Sequence, residues 1–189
     1  MKRFFELLSI PILVVPVTVI ILWLLVDSSS TSQRWFLVFF LNVVFLPLFS
    51  VVWLERRKFI SDLDLRSRHE RLAFLGLMVL VSLVNFLNSQ VLSAPKVIQV
   101  LNLLVLVLVV LMAVISPFWK ISGHLLVLTS VIAVAFLIKG TLALFWGLLL
   151  PIVAFHRLYY KHHTIFQVLA GFLLGFLVPL LVVRLLGLS

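Results

Sequence analysis

The chain has no cysteine and only six acidic residues in 189. The first absence excludes disulfides, thiolate zinc sites and iron–sulfur clusters, so a bound metal would have to rest on imidazole or carboxylate. Charged residues make up 11% of the sequence, against about a quarter in soluble domains, which excludes an ordinary water-facing surface. Instead, 64% of the residues are hydrophobic and the mean hydropathy is +1.32. These values point to a single integral-membrane domain over residues 1–189, since a helical crossing uses about 20 apolar residues and little chain is left for an aqueous domain.

Apolar runs at roughly 4–26, 35–54, 72–92, 97–115, 122–138, 141–155 and 164–186 predict an all-α, polytopic bundle with six to seven spans. Met1-Lys2-Arg3 before the first run resembles a signal peptide, but the run is long and no small-residue cleavage site follows, so it is counted as a span. Pro11 and Pro16 should kink it, whereas Pro95, Pro117 and Pro151 fall near helix ends, where a missing amide donor matters less. The fifth and sixth runs are short for a ~30 Å hydrocarbon core and are expected to be tilted, interfacial or re-entrant. They form a hairpin turning at Lys139-Gly140, and Ser28 to Ser32 is expected to be a hydrated turn.

This topology puts His69, His124, His156, His162 and His163 on one face, with Glu6, Glu55, Asp62, Asp64 and Glu70, and leaves only Asp27 opposite. Eleven basic residues (2, 3, 56, 57, 58, 66, 68, 71, 120, 157 and 161) share the histidine side, against four (34, 96, 139 and 184) on the other. By the positive-inside rule the histidine face is cytoplasmic. If Arg66, Arg68, Arg71, Lys120, Arg157 and Lys161 are set aside as anion ligands, the balance falls to five against four. The net charge of +9 comes from short basic clusters between apolar runs, a pattern that suits anionic lipid head groups and membrane lipids rather than nucleic acid.

Three segments on that face combine His with Lys or Arg: Lys58 to Arg71 (KFISDLDLRSRHER), Lys120 to His124 (KISGH) and His156 to Gln167 (HRLYYKHHTIFQ). A phosphate ester in such a place needs cations for its oxygens, a nucleophile and an acid for the leaving group. Ser122-Gly123-His124 at a helix start offers either an anion site on free amides or an ordinary cap. His163 and Gln167, four apart, share a helix face, so Gln167 could hold an imidazole nitrogen. His156 and His162 read as bystanders, and Gly171 with Gly175 as a close-packing pair.

The order and spacing of these fragments over residues 58–175 resemble the type 2 phosphatidic-acid phosphatase superfamily, which includes lipid phosphatases and undecaprenyl-pyrophosphate phosphatases. Ile121-Ser122-Gly123-His124 is similar to that family's Pro-Ser-Gly-His element. His156-Arg157, five residues, His163, three residues and Gln167 are similar to its Ser-Arg…His…Asp element, with Gly171 and Gly175 beyond. The resemblance implies hydrolysis of a lipid-linked phosphate or pyrophosphate without a metal or other cofactor. His163 would be the nucleophile through a phosphohistidine, His124 the acid, and Arg71, Arg157 and a second cation (Arg68 or Lys58) the phosphate ligands, beside Ser122 and Gly123. The sequence departs from the family pattern at Ile121, which stands in place of Pro, at His156, which stands in place of Ser, and at three further points. Lys58 precedes Arg66 by one residue more than the family's spacing, no Pro follows Arg66 or Arg71, and Gln167 replaces the Asp that orients the nucleophile and balances its charge.

Other readings stay open. The basic segments suit a snorkelling juxtamembrane loop, and Gln167 suits a catalytically weak or inactive member that binds anionic lipid or assembles with partners. A metal site of His69, His124, His156 and His163 with Asp62 or Asp64 is conceivable chemically, but the interleaved arginines repel a cation. Asn85, Asn88, Gln99 and Asn102 could line a transport path, but fit helix-end or interhelical hydrogen bonding better.

Overall fold

The computed structural model describes residues 11–61, 65 and 67–186, and every regular element among them is helical. Glu6, Asp62, Asp64 and Arg66, which the sequence placed on the histidine face, lie outside the described residues, as do Lys2 and Arg3. The chain divides into two compact units, one of residues Met1–Leu25 with Lys120–Ser189 and the other Val26–Trp119.

In the first unit, α1 (Pro11–Leu25), α5 (Gly123–Lys139), α6 (Leu149–Tyr159) and α7 (Ile165–Leu185) are built from the first and the last three apolar runs. α1 is described from Pro11 onward and ends at Leu25. α5 is the core, with Leu125, Leu126 and the stretch from Leu128 to Ala135 buried against α7 and α1. Two glycines let α7 come this close: a Cβ at Gly171 would stand 2.5 Å from the Ser122 carbonyl oxygen, and one at Gly175 2.5 Å from that of Leu126. The packing role expected of the pair is therefore visible. The chain leaves α5 at Gly140, whose φ of 72° is the left-handed conformation glycine adopts freely, and turns there as the sequence suggests. The sixth run is only half α-helical: Gly140–Leu148 winds as a 3₁₀ helix before α6, a run in which Gly140, Gly147 and Pro151 all weaken the α-helical ladder.

In the second unit, α2 (Ser30–Arg56), α3 (Arg68–Val91) and α4 (Lys96–Ile115) pack side by side. α2 starts earlier than the apolar run because the expected turn caps it. Ser29 Oγ accepts from the Ser32 amide at 3.2 Å, and the Asp27 carboxylate accepts from the Ser29 amide and from Ser32 Oγ, both at 2.9 Å. Hydrogen bonds from Ser29 and Ser32 hold the Asp27 carboxyl below its ordinary range. In its middle, α2 widens to a π-helix over Phe40–Phe45, with the Leu46 amide bonded to Leu41 O, just ahead of Pro47, which cannot donate to the ladder.

Leu80, Leu87, Val91, Leu173, Leu177 and Leu181 are exposed, while Ser82, Ser89, Asn102, Thr129 and Ser130 are buried. An extensive apolar exterior over a mostly apolar core with a few buried polar residues is compatible with helices solvated by lipid. Four helices, Ser30–Arg56, Arg68–Val91, Lys96–Ile115 and Ile165–Leu185, are long and apolar enough to cross a membrane, and Gly123–Lys139 and Ala143–Tyr159 are shorter apolar helices.

Candidate functional site

In the first unit the start of α5, the end of α6 and the start of α7 meet at one end. The Ser122 amide donates to Gln167 O at 3.1 Å, tying the entry of α5 to α7. The turn from α6 to α7 closes on the Arg157 carbonyl, which accepts from the His162 and His163 amides at 3.1 and 3.3 Å. Thr164 then caps α7: its Oγ1 accepts from the Gln167 amide, and Gln167 Oε1 accepts from the Thr164 amide at 3.1 Å. Thr164 was not among the expected site residues, although Thr-x-x-Gln before an apolar run is the sequence signal for this reciprocal cap.

This scaffold brings His124, Arg157, His163 and Gln167 together. Arg157, 5% exposed, donates from Nη2 to His124 Nδ1. Because guanidinium only donates, Nδ1 of His124 is the acceptor and the ring proton sits on Nε2. Nδ1 of His163 lies 3.3 Å from Gln167 Oε1. The Thr164 amide can likewise only donate, which identifies the atom facing His163 as the amide oxygen. Facing that oxygen, Nδ1 of His163 is the donor. Burial first, then the positive charges of Arg157 and Lys120, push the His163 pKa down to about 4, against smaller support from Gln167 and the Lys120 carbonyl. The imidazole is thus neutral at neutral pH, as a nucleophile must be.

Ser122 is placed differently from what a phosphate ligand requires. Its amide is committed to Gln167, it is 0% exposed, and its hydroxyl makes no hydrogen bond with a described residue. Gly123 and His124 follow as the first residues of α5. His156 and His162 lie tilted against Tyr160 beside the turn, with the His156 and Tyr160 centroids 4.5 Å apart, and the two histidine rings are stacked at 6.2 Å and 14°.

Arg71, Arg68, Lys58 and His69 belong to the second unit. Arg71 Nε donates to Ser116 Oγ at 2.6 Å, Nη1 to Leu65 O at 3.2 Å and Nη2 to Ser116 O at 3.3 Å, so its guanidinium joins the start of α3 to the end of α4. Arg68 and His69 are exposed in the first turn of α3. Lys58, at a positive φ of 61°, lines a surface hollow with Glu55, Arg56 and Glu70. Among the described residues, no three His, Asp or Glu side chains gather in a way that could hold a metal ion.

The fold is that of an all-helical protein with several long apolar helices, compatible with a multi-pass membrane protein. No protein-family model, no curated protein and no solved structure matches the chain.

Proposed function

We propose that the chain is an integral-membrane phosphatase acting on a lipid-linked phosphate or pyrophosphate through a phosphohistidine. The observation that carries this reading is the grouping of His124, Arg157, His163 and Gln167, from three chain segments, with complementary tautomers. On this reading α1, α5 and Ala143–Tyr159 cross the bilayer together with the four longer helices, giving six to seven spans.

His163 Nε2 forms the N–P bond as the P–O bond to the lipid alcohol, or to the lipid-linked phosphate, breaks. Gln167 Oε1 accepts from Nδ1–H and steadies the charge that develops on the ring. Arg157 and Lys120 supply the positive field for the phosphoryl oxygens, and the amides of Gly123 and His124 supply the helix start. Arg157 also sets the state of the acid. While it donates to His124 Nδ1 the ring is neutral; a bound phosphate draws the guanidinium away and its negative charge favours the protonated imidazole. That ring protonates the leaving oxygen. His124, now neutral, takes a proton from the water that attacks phosphorus, the N–P bond breaks, and phosphate leaves with His163 restored.

The test is phosphate release by the purified protein from a panel of lipid phosphates and pyrophosphates in excess chelator. The wild type should turn over and His163→Ala should lose activity by a factor of ~10³ or more. Release that survives His163→Ala contradicts the assignment.

A second reading, an anionic-lipid binder without catalysis, is favoured by one observation: position 167 carries a neutral amide, so the charge on a phosphohistidine is balanced only by a dipole.

A further inference from the structure

A cavity of about 190 Å³ lies within the second unit among α2, α3 and α4. Carboxamides from all three helices line it: Asn42, Asn85, Asn88 and Asn102. Asn102 is only 4% exposed, and neither it nor Asn85 or Asn88 makes a side-chain hydrogen bond with any described residue. The polar atoms of these carboxamides are open to the cavity rather than sealed in, so a group that pairs with them there gains from it. Helix-end or interhelical hydrogen bonding, the role expected for Asn85, Asn88, Gln99 and Asn102, is seen for Gln99, whose Nε2 donates to Ala94 O at 2.8 Å, and not for the three asparagines.

Asn42 adds an independent sign. It belongs to the π-helical stretch of α2, where it donates from Nδ2 to Val38 O at 3.0 Å and keeps its amide oxygen for the cavity. Widened turns of this kind recur at functional sites.

The lining defines the ligand. No lining side chain is ionisable, so a charged group would enter without a counter-charge and lose its hydration. Each carboxamide offers one acceptor oxygen and two donor hydrogens, a set matched by hydroxyls, which donate and accept together. Trp35 and Phe39 supply aromatic faces for C–H surface, the other half of a sugar ring. The cavity has room for a group of about one sugar ring's size. Val38 and Leu92, exposed large apolar residues that also line the cavity, place its mouth on lipid-facing surface. Leu92 and Trp35 stand close to helix ends, so the cavity starts within a few residues of the membrane boundary rather than at its centre.

We infer that this carboxamide cavity binds a neutral, hydroxyl-rich group of about the size of one sugar ring, borne on a membrane lipid or free. The site is independent of the phosphatase reading.

The test uses the full-length protein in detergent micelles, titrated with radiolabelled monohexosyl diacylglycerol, with diacylglycerol of the same chains, and with methyl hexoside. The hexosyl lipid should bind at least tenfold more tightly than diacylglycerol, and Asn102→Leu and Asn85→Leu should each remove about tenfold of that preference, the effect of one lost buried hydrogen-bonding partner. Competition by methyl hexoside at the same concentration as the lipid assigns the site to a free sugar; competition by the lipid alone assigns it to a head group. Equal binding of the hexosyl lipid and diacylglycerol by the wild type overturns the proposal, as does a preference unchanged in the variants. If Asn102→Leu does not fold, Asn85→Leu and Asn88→Leu decide the question in the same way.

Discussion

Two arginines at helix ends, one in each unit, show how partners rather than position decide what a cation does. Arg71 spends its guanidinium on Ser116 and on the Leu65 carbonyl, neutral acceptors that stay where they are, and so works as a clasp between α3 and α4. Arg157 donates to an imidazole that can itself become a cation and stands beside a second imidazole whose charge it suppresses. The acceptors of Arg71 named above carry no charge to change, whereas the partner of Arg157 can gain a proton. Sequence treats the two residues alike, since both are arginines flanking an apolar run on the same face.

The largest effect that would sharpen this contrast is expected from Gln167→Asp. A carboxylate at this position, though one methylene shorter than the carboxamide, adds negative charge beside His163, so phosphate release should rise by up to ~10⁴, by analogy with the loss when a serine-protease Asp becomes Asn. The pH profile gives an independent sign. In the wild type His163 loses its lone pair only as pH falls through about 4, and a neighbouring carboxylate favours the protonated ring, so the acid limb of the Gln167→Asp profile should move to higher pH. No gain in hydrolysis with any lipid phosphate would favour the binding-only reading.

Next in size are the glycines that hold α7 on α5. Gly171→Ala and Gly175→Ala each drive a methyl group into a carbonyl oxygen, and each should destabilise the detergent-solubilised protein by about 1–3 kcal/mol in thermal melting. Gly76→Ala, with nothing within 4 Å of the added carbon, should instead be neutral or stabilising by up to about 1 kcal/mol. Equal melting temperatures for all three would remove the packing account of the site's scaffold.

The smallest effect concerns the clasp. Ser116→Ala removes one acceptor from Arg71 and should cost about 1–2 kcal/mol of stability while phosphate release keeps its rate. A large loss of turnover with unchanged melting would mean that Arg71 acts on substrate rather than on α4.

Much of this was legible because it is local. Apolar runs marked the helices, Lys139-Gly140 the hairpin, and the four-residue step from His163 to Gln167 a shared helix face. Other features depend on which group ends up opposite. Nothing in Ser122-Gly123-His124 says that the Ser122 amide will meet the Gln167 carbonyl, which is set by how closely Gly171 lets α7 approach. The early start of α2 follows from Asp27 and Ser29 acting as caps within a segment that composition alone marks as a turn. The cavity of asparagines required three helices to be assembled before residues spread from 42 to 102 became one site.

The most direct measurement of the central claim is acid-quenched trapping with a lipid phosphate labelled at phosphorus, followed by peptide mapping. The account predicts an acid-labile, base-stable label on the peptide carrying His163, lost in His163→Ala and accumulating in His124→Ala when the leaving phosphate is a good one and the water step is slowed. A wild type that turns over substrate without any label on His163, or carries it on another residue, would contradict the account.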